Sequence, residues 1–194
     1  MPTALQPSFR RYFMAVERVQ QLLMKVTGTL DQAGVPYAVI GGNAVAAWVS
    51  TKDPEAIRTT KDVDILVRRQ DFAALTTALQ KIDLMPVEVL GVSMFVEREH
   101  PSPKSGVHLV FVGERIRAHY VHAPPDLLGA TRSDLGYQVI DLPSLVAMKL
   151  QANRAIDQAH MIDLKSVGLI DDDLIRRIPP DLRERLLKIL EAPE

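Results

Sequence analysis

The sequence predicts an α/β (α+β) fold, a mixed β-sheet flanked by helices with a helical part at the C-terminal end. Three observations predict it. Runs of helical and strand periodicity alternate as far as Val112. A Gly-Gly pair stands where one such strand meets a helix. After Ala123-Pro124-Pro125 the pattern becomes helical throughout, so the expected boundary divides residues 1–125, an α/β domain, from 126–194, a helical part packed against it.

From Phe9 to Ala33, apolar residues at Phe13, Val16, Val19, Leu22, Leu23, Val26 and Leu30 recur every three or four positions, the spacing of one helix face. Gly34 stops that helix. Val35 to Ile40 is β-branched and aromatic and runs into Gly41-Gly42, which reads as a strand entering a tight turn, with an Ala-rich helix from Asn43 to Val49. Ser50 to Lys61 lacks periodicity and reads as a loop. Asp62 to Val67 is then a strand, and Asp71 is placed to cap a helix over Phe72 to Ile82. Strands are expected at Pro86 to Leu90, Val92 to Glu97 and Val107 to Val112, with a turn-prone stretch at His100 to Gly106. His119 and His122, near Tyr120, fall in an expected strand and carry no chemistry. Helices are expected at Leu142 to Asn153, Ala155 to Val167, Asp171 to Ile178 and Asp181 to Leu190.

With 194 residues and 47% hydrophobic composition, the chain can bury one substantial core. Its 23 basic and 24 acidic residues nearly cancel, so any polynucleotide contact has to be local. The absence of cysteine excludes disulfides, thiolate metal sites and a Cys nucleophile. Met1 to Arg11 lacks the apolar core of a signal peptide, and no run reaches the roughly 18 apolar residues of a membrane span. The expectation is a cytoplasmic protein with no membrane partner.

The chemistry concentrates at Asp62-Val63-Asp64. Side chains alternate along a strand, so the two carboxylates share one face while Val63, Ile65 and Val67 share the other. Such a pair suits a divalent cation, and Mg²⁺ takes one or two carboxylates with water and substrate phosphates completing its shell. Acids at a strand start can also simply face solvent. Gly41-Gly42, at a strand-to-helix turn, offers free backbone amides to a phosphate and lets it approach closely. Arg58-Thr59-Thr60-Lys61 places cations and hydroxyls beside the acids, and Arg58 or Lys61 either binds a triphosphate or balances Asp62 and Asp64.

This pattern of strand, Gly41-Gly42, small-residue helix and Arg58-x-Thr60-x-Asp62-x-Asp64 resembles the first motif of the DNA polymerase beta nucleotidyltransferase superfamily. The version it resembles is that of the AbiEii-like toxin nucleotidyltransferases and their uncharacterised relatives. Leu142-Pro143-Ser144-Leu145, Met148-Lys149-Leu150, Arg154-x-x-Asp157 and Asp163 resemble that group's helical motifs. The resemblance implies a nucleotidyltransferase-like sheet and a transfer of a nucleoside monophosphate from a nucleoside triphosphate (NTP) to a hydroxyl of RNA, protein or a small molecule. It also implies two Mg²⁺ (or Mn²⁺) ions on three carboxylates and, for a toxin, a cognate antitoxin. By the same resemblance Asp62 and Asp64 hold metal, while Gly41 and Gly42, with Asn43, Arg58 and Thr60 around them, hold the triphosphate. Lys149 takes the phosphates or the acceptor, and Asp157 supports the site.

The third carboxylate departs from the pattern. In Gly106-Val107-His108-Leu109-Val110-Phe111, His108 stands where an acid is expected. Neutral imidazole is a poorer Mg²⁺ ligand than a carboxylate and suits transition metals such as Mn²⁺ better. Two outcomes stay open: a working enzyme with imidazole as base, or a degenerate one that binds nucleotide or a protein partner without turnover. Glu97 or Glu114 is a substitute acid from another loop. Lys149, Asn153 and Asp157, four apart, are expected along one helix stripe. Asp157, His160 and Asp163 do not make a separate metal site on this reading, because no fourth ligand accompanies them.

Overall fold

A computed structural model describes residues 7–191, so the outermost ends of both expected parts, 1–6 and 192–194, lie outside the described residues. The chain opens with α1 (Pro7–Ala33), which ends where Gly34 adopts φ +65° and the Val35 amide turns back to the Leu30 carbonyl at 3.0 Å. Among the described side chains of α1, burial sets in toward its C-terminal end. Leu23, Val26 and Leu30 are fully buried, whereas Phe13 is 59% exposed, so the apolar stripe outruns the sheet it packs on.

β1 (Ala38–Ile40) is shorter than expected, because Val35 to Tyr37 complete the exit from α1. All three of its residues are buried, as befits a strand covered on both faces. α2 (Gly41–Ser50) begins at the first glycine with no turn residue between. Then come β2 (Val63–Val67), α3 (Phe72–Gln80), β3 (Leu84–Val89), β4 (Val92–Glu97) and β5 (Val107–Phe111). Asp71 does not cap α3 as expected: a 3-10 turn over Arg69–Asp71 leads into the helix, and its carboxylate makes no capping bond.

Two strands of two residues each, β6 (Thr131–Arg132) and β7 (Gln138–Val139), lie beyond residue 125 and join the sheet, so the all-helical segment starts at Leu142. It comprises α4 (Leu142–Ala152), α5 (Ala155–Ser166), α6 (Asp172–Arg177) and α7 (Pro180–Glu191). Asp141 caps α4 through the Ser144 amide at 3.0 Å, and Asp171 caps α6 through Leu174 at 2.8 Å. The segment around His119 and His122 is not a strand; Gln151 holds the His122 backbone from both sides at 2.6 Å, and Asp181 takes its imidazole at 2.8 Å.

The strands form one mixed sheet in the order β3-β4-β5-β2-β1-β7-β6. β1 runs antiparallel to β2 and parallel to β7, while β2 and β5 are parallel. One hydrophobic core links sheet and helices, from Leu30 through Ile65 and Leu145 to Leu186. It holds the central strand ends rigidly, where the polar residues gather.

Candidate active site

Register places four residues side by side across the sheet. Ile40 pairs with Asp64, Asp64 with His108, and His108 with Met94. Laterally paired residues share a face, and all four line one cleft of about 740 Å³. Alternation explains how polar groups enter a buried sheet: on β5, Val107, Leu109 and Phe111 are buried while His108 turns the other way. On β2 only Asp64 escapes full burial.

Gly41 and Asp64 meet closely. Gly41 has φ +70°, and a Cβ built there would stand 2.1 Å from Asp64 Oδ2. Only glycine permits that approach. At Gly42 a Cβ would stand 2.6 Å from Thr60 Oγ1, so the glycine pair is fitted against the loop that precedes β2 as well as against its carboxylate. α2 begins here without a side-chain cap, which leaves the positive end of a ten-residue helix next to Asp64. Asp62 lies one residue before β2 and is exposed.

His108 Nδ1 lies 3.3 Å from Asp64 Oδ1. That hydrogen bond raises the imidazole pKa above its ordinary value; partial burial opposes the shift, and the charges of Asp64 and Asp62 add to it. The carboxylate pair is thus accompanied by a base, not by a third acid. Neither substitute acid fills the gap: Glu114 is held by both arms of Arg69 at 2.8 and 2.5 Å, and Glu97 lines a separate cavity of about 330 Å³.

On the helical wall, Lys149 Nζ donates to Asp157 Oδ1 at 2.9 Å, with 6% and 1% of the two side chains exposed. Arg154 closes on the same carboxylate, its Nε at 2.7 Å and its backbone amide at 3.1 Å from Oδ2. Burial pushes the Asp157 pKa up, but the Arg154 hydrogen bond and the Lys149 charge outweigh it and hold the group below its ordinary value. The expected single stripe does not form, because Asn153 takes φ +48° and ends α4. Lys149 and Asp157 meet across that break. Arg154, which the sequence offered only within the Arg154-x-x-Asp157 motif, caps α5 reciprocally with Asp157.

The structure assembles the expected residues unevenly. Gly41, Asp64, His108, Lys149 and Asp157 line the cleft together. Asn43 is buried beneath it and donates to the Asp62 carbonyl at 2.8 Å, so it braces the entry to β2 instead of facing a ligand. Arg58 is clasped by Asp163 at 2.7 and 2.9 Å, which answers the choice between phosphate ligand and charge balance with a third partner, on α5. The loops Ser50 to Lys61 and His100 to Gly106 do not line the cleft; the β3–β4 hairpin and the segment after β5 do.

Asp64, beside the uncapped start of α2, offers a divalent cation one hard carboxylate with the His108 imidazole alongside, and Asp62, exposed one residue before β2, is the second acid next to it in sequence. The three-carboxylate set does not exist, and among the described residues no group of three or more His, Asp or Glu side chains could hold a metal. No helix among the described residues is long and apolar enough to cross a membrane.

No protein-family model and no curated protein matches the chain. Solved structures do. The antibiotic-resistance factor ANT(2'')-Ia superposes in its crystal complex with adenylyl-2''-tobramycin (TM-score 0.56, 11% identity, 87% of this chain and 97% of that one). Its solution structure gives a TM-score of 0.52 at 11% identity, covering 88% and 90% of the two chains. An antigenic nucleotidyltransferase-like protein from Paracoccidioides brasiliensis aligns over 90% of this chain and 86% of its own, at 19% identity and TM-score 0.49. The chain has a nucleotidyltransferase-like fold: a mixed seven-stranded sheet flanked by helices, with the Asp64–His108 row at the mouth of its cleft.

Proposed function

We propose that the chain transfers a nucleoside monophosphate from an NTP to a hydroxyl-bearing acceptor. The carrying observation is the contact of Gly41 with Asp64, in a row that continues to His108, at the uncapped start of α2. The adenylyl-tobramycin bound to a neighbour of the same fold supports the reaction class.

In this reading the β- and γ-phosphates rest against Gly41-Gly42 and the amides of α2. Mg²⁺ or Mn²⁺ held by Asp62 and Asp64 would neutralise phosphate charge. The acceptor oxygen forms a bond to the α-phosphorus, the bond from that phosphorus to the bridging oxygen breaks, and pyrophosphate departs with the electron pair. His108, oriented by Asp64, takes the acceptor's proton. Lys149 and Arg154 share the one carboxylate of Asp157, so the trio keeps one positive charge on this wall of the cleft. Labelled nucleotide should pass to an acceptor in the presence of Mg²⁺ or Mn²⁺, and Asp64→Ala should abolish the transfer. Silence with all four NTPs over a broad acceptor panel would refute the proposal.

The His108–Asp64 bond favours a second reading, a nucleotide-binding or protein-interaction module without turnover, because it occupies a metal-facing oxygen. Calorimetry distinguishes the two: triphosphate binding without turnover, with activity gained in His108→Asp, selects the module. The toxin role and its antitoxin partner rest on the motif resemblance. Induced expression that arrests growth, with relief by Asp64→Ala, is the outcome that reading requires.

A further inference from the structure

The cleft has two halves. On the proposed reading the donor phosphates lie at Gly41-Gly42, on the β1 side of Asp64. In-line displacement brings the attacking oxygen from opposite the leaving one, so the acceptor arrives from the other side, over His108 and β4. That half is walled by the β3–β4 hairpin and by residues 114–117.

The charges of this wall are uneven. Five cationic side chains line the cleft against three carboxylates. Arg69 is spoken for by Glu114, and Lys149 and Arg154 by Asp157. Arg115 and Arg117 remain, both exposed, and neither side chain makes an ion pair or hydrogen bond with another described residue. Between them Ile116 is 48% exposed. Leu90, which lines the same cleft, is 100% exposed at the hairpin tip, with φ +52° followed by Gly91 at φ +77°. Leu90 and Gly91 are the two residues between the Val89–Val92 pair, and positive φ at both is what a tight two-residue hairpin turn requires.

We infer that Arg115 and Arg117, with Leu90 and Ile116, form the acceptor half of the cleft and select a nucleotide unit: a planar base against the two apolar side chains, a phosphate on the two guanidiniums, and a hydroxyl directed at His108. Guanidinium groups match phosphate oxygens in forked geometry, and apolar or guanidinium surfaces stack on any base. The inference rests on the nucleotidyl-transfer reading for its orientation, but the anion site exists independently of turnover.

Binding to the full chain tests it, with the donor half first saturated by a non-hydrolysable triphosphate and Mn²⁺. The probes are a fluorescein-labelled hexa-adenylate RNA with a free 3′ hydroxyl, adenosine 5′-monophosphate, adenosine, and tobramycin as a polycation. Both phosphate-bearing probes should bind at least tenfold more tightly than adenosine or tobramycin if the source is a free nucleotide; a strand end as source would leave only the RNA tight. The Arg115→Glu, Arg117→Glu double variant should weaken the tight probes at least tenfold, and the Arg115→Gln, Arg117→Gln pair should follow in smaller measure. Binding of both the hexa-adenylate and adenosine 5′-monophosphate no tighter than that of adenosine would overturn the inference. So would a loss of triphosphate affinity in the arginine variants as large as their loss of probe, since the arginines would then belong to the donor. Absence of triphosphate binding in the wild type defeats the nucleotidyl-transfer reading instead, and the arginine effect on RNA is read separately from it.

Discussion

Replacing Asp157 by Asn tests the polar architecture behind the cleft. Asp157 is 1% exposed and takes bonds from Lys149 at 2.9 Å and Arg154 at 2.7 Å; Lys149 is itself 6% exposed. Asparagine nearly preserves volume and keeps an oxygen for the Arg154 amide, so packing changes little. What disappears is the charge that neutralises a buried ammonium. Breaking one side of a buried pair costs about 3–5 kcal/mol, a large part of the 5–15 kcal/mol typical of a folded domain. With a urea slope of about 1–3 kcal/mol per molar, the denaturation midpoint followed by circular dichroism should fall by more than about 1 M. Adding Lys149→Met to Asp157→Asn should recover most of the loss, because the orphaned ammonium goes with it. A midpoint shift of Asp157→Asn corresponding to less than about 1 kcal/mol, or no recovery in the double variant, would refute the claim that this pair is a buried, mutually dependent unit.

Gly41→Ala should lower triphosphate affinity at least tenfold by calorimetry and cost about 1–2 kcal/mol of stability, from the left-handed backbone and from a methyl 2.1 Å from Asp64 Oδ2; wild-type affinity would remove the glycine from the site. Asn43→Ala should cost about 1–3 kcal/mol in urea melts by leaving the Asp62 carbonyl without its donor at 2.8 Å. His160 is buried with Nδ1 unpartnered, and its pKa is lowered to about 4, first by burial and then by Lys149. The unfolded imidazole takes up a proton below about 6.5 and the folded one resists until about 4, so up to about 3 kcal/mol of stability should be lost as pH falls through that window. His160→Phe should flatten that limb of the stability–pH curve, and an unchanged slope would contradict the assignment.

Much of this arrangement was readable because it is local. Alternation put Asp64 opposite the core face of β2, and the Gly-Gly pair announced a close approach before its target was known. His108 emerged because the resemblance expects an acid at that place in the Gly106–Phe111 run. What escaped was what depends on distant partners. Arg58 finds Asp163 across 105 residues, a pairing with no periodic signature. β6 and β7, at two residues each, are too short to alternate. The stripe from Lys149 to Asp157 assumed an unbroken helix, and the left-handed Asn153 broke it while still letting the two ends meet. Asp71 satisfied the capping rule in composition, yet the turn at Arg69–Asp71 directs its carboxylate elsewhere.

The most direct measurement of the central claim is nucleotide transfer from α-labelled NTP with Mn²⁺, compared between the wild type and Asp64→Asn. If Asp64 beside Gly41 is where the triphosphate reacts, the wild type should label an acceptor and release pyrophosphate in equal amounts, and the variant should lose at least a hundredfold in rate while keeping its melting temperature. Equal labelling by both proteins would place the chemistry somewhere other than the Asp64–His108 row.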